Sequence, residues 1–444
     1  MFDTLLVGGT IVNAEGPFRA DVAIAGGRIA AVLPPGERAE AGAVVDVGGR
    51  TLLPGLVDAH AHLREPGLIH KEDFRSGTHA AALGGVTTVL DMPTDEPWTA
   101  TPEQLAGKTA LARGRLHVDV GFQVVLTRDL ALVPKLLEGA PVSFELFTAD
   151  VPEAFLFQTV DAMRRALQCL AGADALVGVS PGDQSILLDS LEHGGKGDIA
   201  EFLASRPPLA EANGVARAVL AAAATGARIH VRQINSRLGV ESWSRLRGMA
   251  DASVETTVQN LFFTSDDYAA HGANLKASPP LRSASDVRTL RAALRDGVID
   301  IVATDHAPHT PAEKAAAYPF FADIPGGMPG LQTLLPMMLS LVDEGTITLP
   351  DLVRMCARNP AQRFGLGRRK GAIAAGLDAD ILIVDPGRQS TVRNADQVSR
   401  AGYTPFDGWT VRARLDRVYL RGTEIVRNGV LAGQPRGEVV TRGG

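Results

Sequence analysis

Eight candidate strands, most of them rich in apolar residues, recur along the middle of the chain, at residues 56–60, 87–92, 118–125, 142–147, 175–179, 228–234, 253–257 and 300–305. Ala-, Leu- and Arg-rich stretches of helical character fill the gaps between them, among them 102–113, 154–170, 208–224 and 285–296. Strands that are apolar throughout are covered on both faces, and strands alternating with helices build a parallel sheet with a helical jacket. Eight such units predict an α/β fold, a (β/α)8 TIM barrel. The first fifty residues differ, alternating β-rich pieces with glycine turns, and similar pieces return at 380–385 and 415–426. The two ends are expected to form one small β-sandwich. The implied division is 1–53 for its N-terminal part, 54–366 for the barrel and 367–444 for its C-terminal part.

The 444 residues, 45% of them apolar, suffice for a large catalytic unit with an accessory domain. Net charge is only −6 and the basic residues are scattered, which argues against a nucleic-acid or membrane-binding surface and for a small-molecule partner. The opening Met-Phe-Asp-Thr is not a secretory leader and no apolar run has spanning length, so a cytoplasmic location is expected. Cys169 and Cys356 fall in apolar helical patterns and are expected to be buried, inert thiols. His193 and the Gly-Gly-Lys-Gly that follows it read as a loop near the fifth strand.

The first apolar run ends in Asp58-Ala-His60-Ala-His62-Leu-Arg64-Glu65-Pro-Gly67. In an extended chain residues i and i+2 share a face, so both imidazoles can aim at one point, either as metal ligands or as a merely hydrogen-bonded pair. The eighth run ends in Thr304-Asp305-His306-Ala-Pro-His309, which adds a carboxylate. In a barrel the functional groups gather at the carboxyl ends of the strands, and the first and eighth strands are neighbours on closure. Two imidazoles and one carboxylate make a three-ligand site with a position left for water, the requirement of metal-assisted hydrolysis.

Together with Asp91-Met-Pro93, Lys276-Ala-Ser-Pro-Pro-Leu-Arg282, Gly327-Met-Pro-Gly-Leu331 and Asn359-Pro360, these segments resemble the cyclic amidohydrolases, the dihydroorotase, allantoinase and hydantoinase group of the metal-dependent amidohydrolase superfamily. The resemblance spans nearly the whole chain. It implies a hydrolase that opens the C–N bond of a cyclic amide, imide or ureide, and a homodimer or homotetramer. It also implies that His60, His62 and Asp305 hold a divalent metal, most simply Zn2+, while Asp305 also moves a proton from water to the leaving nitrogen.

Departures from the family are as informative. Relatives carry a lysine, carboxylated to bridge two metals, where this chain has Glu145 in Ser143-Phe-Glu-Leu-Phe147. No carboxylated lysine is therefore expected. Glu145 is either a metal ligand or the partner of a nearby arginine. Ser180 and Gln233 stand where the family places the histidines of the second metal, and both are poor zinc ligands, so one ion is favoured over two and His230 is expected to be packed rather than ligating. Gln233 with Glu145 completing an outer metal site is the alternative. Arg64 suits a bidentate carboxylate clamp, and with Thr94, Ser278 and His309 it is expected to hold a substrate carrying an anionic group. The rival reading is a catalytically silent homologue acting as a structural subunit or ligand-binding protein.

Overall fold

The computed structural model describes residues 1–173, 175–194 and 197–443. Eight parallel strands form the barrel: β1 (Leu56–Ala61), β2 (Val86–Asp91), β3 (Asp119–Val125), β4 (Ser143–Phe147), β5 (Leu176–Ser180), β6 (Arg228–Val231), β7 (Ala252–Thr257) and β8 (Ile301–Ala303). Each pairs with the next in chain order. The first four are buried along their whole length, as strands covered by side chains within and helices without must be. Closure of β8 on β1 is made by side chains as well as backbone. Asp58 on β1 accepts from the Thr304 N–H at 3.0 Å and from the Thr304 hydroxyl, and the His62 N–H donates to the His306 carbonyl at 2.7 Å.

Helix starts follow local chemistry. Thr101 and Gln104 form a capping box before Pro102–Ala112, and Ser283 and Asp286 do so before Ala284–Arg295. The stretch expected to be helical over 154–170 is helical only over Val160–Gln168, because Glu153–Phe155 is a 3-10 turn and Thr159 caps the helix. The expected burial of both thiols is corrected accordingly. The helix turns Met163, Ala166 and Leu167 inward and leaves Cys169, just past its end, exposed. Cys356 is buried, and burial pushes its thiol pKa up. His193, expected in a loop, lies in the last turn of Gln184–Gly194; Gly195 and Lys196 of the same expectation lie outside the described residues.

The chain ends meet in two sheets beside the barrel. A four-stranded sheet runs Arg28–Leu33, Asp21–Ala25, Phe2–Val7, Ala41–Asp46. The seven-stranded sheet joins both ends of the chain, since Ile381–Asp385 pairs antiparallel with Thr51–Pro54. Leu6, Ile24, Ile29, Leu52, Ile381 and Tyr419 share the core between the sheets. Val439–Val440 turns back and pairs with β3. No helix among the described residues is long and apolar enough to cross a membrane.

A buried lysine rivets these sheets to the amino end of the barrel, opposite the strand termini that carry His60 and Asp305. Lys370 Nζ lies 2.6 Å from Asp119 on β3, 2.6 Å from Asp380 and 3.0 Å from Asp378. The three carboxylates converge closely enough to hold a cation, and the ammonium already fills that place. Against the opposition of burial, the three carboxylates raise the Lys370 pKa. Lys370→Met would strand buried carboxylates without a counter-charge. It is expected to lose about 3–5 kcal/mol of unfolding free energy, read from urea denaturation at neutral pH.

Candidate active site

The histidines at the end of β1 and just past it are aimed by what holds their far nitrogens. His60 Nδ1 lies 2.6 Å from Glu255 Oε1, and Glu255 is held well below the usual carboxylate range by Arg232 and His60 although burial opposes this. An ionised Glu255 requires the proton on Nδ1, so Nε2 points its lone pair at Asp305 Oδ1, 3.3 Å away. His62 Nδ1 lies 2.7 Å from the Thr94 hydroxyl, which can donate or accept, and its Nε2 lies 3.2 Å from the same Asp305 oxygen. The Nε2 lone pair of His60 and a carboxylate oxygen hold together only around positive charge, a proton or a metal cation. Burial opposes protonation of His60, but Asp305 and Glu255 outweigh it and raise its pKa; burial pushes His62 down to about 4. Asp305 is held below its ordinary range by the two imidazoles, again against burial. The three donor atoms lie within 4.8 Å of one another, and each imidazole is oriented from behind as metal-ligating histidines are. The donor set fits a divalent transition metal.

Glu145 is not gathered into this trio. Its oxygens are taken by Arg232, from Nη2 at 2.6 Å and Nε at 3.1 Å. Arg232 also donates to Gln123, to the Ala59 carbonyl at 2.9 Å and to Glu255 Oε2 at 3.2 Å, with no exposed surface. Gly178 on β5 makes the room, since a Cβ there would lie 2.2 Å from Glu145 Oε2. His230 is packed in the same network, bonded to Ser253 at 2.7 Å and to Glu255 Oε2 at 2.9 Å.

On the other side of the trio stands a group of cations. Arg64, only 8% exposed, leaves Nε buried without an acceptor. His309 Nε2 donates to the Gly326 carbonyl at 3.0 Å, so it has no lone pair for Arg64 Nη2, which lies 3.4 Å away. His309 Nδ1 in turn accepts from Lys71 at 3.3 Å, and Lys71 pairs with Glu313 at 3.1 Å. Burial, then Arg64, Lys71 and Lys314, pushes His309 down to about 3. Arg64 thus keeps unused donors beside a neutral imidazole. Thr94 is bonded to His62, whereas Ser278 and Gln233 lie together on a cleft at the ends of β4, β5 and β6, with the Gln233 amide reaching the Ser278 carbonyl at 3.4 Å.

Residues 51–425 match the amidohydrolase family. The chain belongs to that family. A dihydroorotase of Halobacterium salinarum is 37% identical over 401 residues, covering 87% of this chain and 91% of that protein. An allantoinase of Streptomyces avermitilis is 34% identical over 438 residues, covering 97% of both. The solved L-hydantoinase (dihydropyrimidinase) from Arthrobacter aurescens superposes with a TM-score of 0.95 over 100% of both chains at 30% identity. Its place in the family is therefore the cyclic amidohydrolase group, hydrolases of C–N bonds in cyclic amides.

Glu255, Asp58 and Lys71 were not singled out from the sequence. For the first two the available signal was an acidic residue in the middle of a barrel strand, which demands a buried partner. The neutral His309 has a measurable consequence. Its folded pKa lies below the ordinary histidine value, so the stability it contributes is present above about pH 6.5 and is lost as pH falls toward 3. Urea unfolding between pH 7 and 4 is expected to show wild type losing stability relative to His309→Gln as the medium is acidified.

Proposed function

We propose that the protein is a hydrolase that opens the C–N bond of a cyclic amide, imide or ureide with one divalent cation, zinc by its donor set, held by His60, His62 and Asp305. The observation that carries this is the convergence of both Nε2 atoms on one Asp305 oxygen, at 3.3 and 3.2 Å, with both Nδ1 atoms engaged from behind. A bound cation supplies a Lewis acid and a water of lowered pKa there. Asp305 takes a proton from water and passes it to the leaving ring nitrogen, since only Oδ1 is engaged with the imidazoles. Thr94 orients His62, and Glu255 orients His60.

Glu145 stands outside the metal set in this reading because both its oxygens serve Arg232. Gln233 belongs to the cleft and not to an outer ion. Arg64, with a buried Nε lacking an acceptor, supports a substrate that carries an anionic group beside the ring, with His309 fixing the loop around it. The same reading carries a homodimer or homotetramer.

Metal content by inductively coupled plasma mass spectrometry, on protein purified without chelator, is expected to be about one equivalent per chain. Two equivalents would bring Glu145 back as a ligand. None, with no uptake on titration, would leave a ligand-binding homologue in place of a hydrolase. Asp305→Asn is expected to lower kcat by about 10²–10⁴-fold. Arg64→Met is expected to raise KM about tenfold or more for a ring bearing a carboxylate, and to spare an uncharged ring.

A further inference from the structure

Ile381–Asp385 and Arg414–Leu420 pair directly in the seven-stranded sheet, yet the chain does not turn tightly between them. Antiparallel neighbours need a loop of only about two to five residues. Here residues 386–413 leave the sheet, and their middle grips two segments that follow barrel strands. After β1, Ser399 Oγ donates to Glu72, and Arg400 donates to Asp73 and to the Ile69 carbonyl. After β8, the Val398 N–H donates to Gln332 Oε1 at 3.0 Å, and Gln332 Nε2 donates to the Asp396 carbonyl at 2.6 Å.

Between the two gripped segments stands His306, the residue after Asp305, with no exposed surface. Its Nδ1 accepts from the Gly330 N–H at 3.1 Å, so the ring proton sits on Nε2. Nε2 faces Glu72 Oε2 at 3.4 Å, and no other partner reaches it among the described residues. Glu72 is equally sealed, and the Ser76 and Ser399 hydroxyls donate to it. The His306 backbone joins the barrel ends: its carbonyl accepts from the His62 N–H at 2.7 Å, and its N–H donates to the Thr304 hydroxyl at 2.9 Å. Asp305, one residue back, has a φ of 45°. Side chains rarely adopt that conformation, and it persists only where the surroundings over-determine it.

We propose that residues 396–400 position the metal site from outside the barrel: they hold Glu72 and the turn after Gly330, these hold the His306 ring from its two sides, and the His306 peptide sets Asp305 and the His62 backbone. The inference rests on the hydrolase reading, in which Asp305 and His62 hold the cation. Ser399, Glu72 and His306 act through those two and are positioning residues, not ligands. Partners of this kind are commonly worth about 10–100-fold in metal affinity.

The test is competition for Zn2+ between the full-length protein, first stripped of metal, and a chromophoric chelator, with urea unfolding of the metal-free protein alongside. Ser399→Ala cuts the relay at its outer end. His306→Asn keeps an acceptor for the Gly330 N–H and removes the donor to Glu72, while Glu72→Gln alters the link between them, so the comparison runs with whichever variants fold. Each is expected to raise the zinc Kd about tenfold or more and to shift the visible spectrum of the Co2+-loaded protein, which reads ligand geometry. Ser399→Ala combined with either inner variant is expected to bind zinc no more weakly than the inner variant alone, because Ser399 acts through it. A lower urea midpoint with wild-type zinc affinity and an unshifted Co2+ spectrum would make the contacts structural only. That result, or losses that add in the double variant, overturns the relay and leaves the hydrolase reading standing. A wild-type protein that takes up no zinc would sink both.

Discussion

The Glu255 carboxylate is the joint on which the site turns. One oxygen fixes the His60 tautomer and the other is shared by His230 and Arg232, and Glu255, His230 and Arg232 have no exposed surface. A carboxylate sealed in a barrel is tolerated only when its charge is matched and its lone pairs are filled. Arg232, which also serves Glu145, acts with His60 to hold that charge, and His230 fills the remaining position. His60 is therefore oriented before any ligand arrives, which is the preorganisation a metal site needs.

Arg232 also explains how the barrel accommodates Glu145, at a position where the family resemblance implies a lysine. A lone glutamate at that depth would be costly. Paired through both oxygens to a guanidinium that also reaches Gln123 and the Ala59 carbonyl, it becomes part of the barrel's internal scaffold. The carboxylate and the guanidinium make sense only together. Removing one partner would leave the other charge buried and unmatched, which is commonly far more destabilising than replacing both.

The barrel was legible because its strands are buried on both faces and mostly apolar, and the strand expected over 118–125 is found over Asp119–Val125. The helix expected over 154–170 was not, because Glu153–Phe155 and Thr159 reset its start through local bonds that periodicity does not register, and Cys169 fell on the exposed side as a result. The convergence of His60, in β1, and His62, just past its end, follows from their spacing of two residues, whereas their role stayed open until Asp305 joined them. Glu145, Arg232 and Glu255 come together only by barrel closure across β4, β6 and β7, so their pairing is a property of the folded chain. Thr94 illustrates the same limit: its hydroxyl serves His62 from the loop after β2, a contact between segments thirty-two residues apart.

The two ends of the barrel are built to opposite specifications. At the amino end Lys370 answers three carboxylates and Arg421 adds a further bond to Asp119, so that buried charge is matched and the flanking sheets are locked in place. At the carboxyl end the Arg64 Nε lies buried without an acceptor and neutral donors and acceptors stand open along the cleft. Buried polar groups are almost always satisfied in folded proteins, and Arg64 Nε shares its lack of an acceptor with the Nε atoms of Arg206, Arg217, Arg358 and Arg363, so what sets Arg64 apart is its place beside Asp305. Local rules fail most often where a ligand completes them. The ion pairs of the amino end tie the flanking sheets to the barrel, and the opposite end presents its donors from that framework.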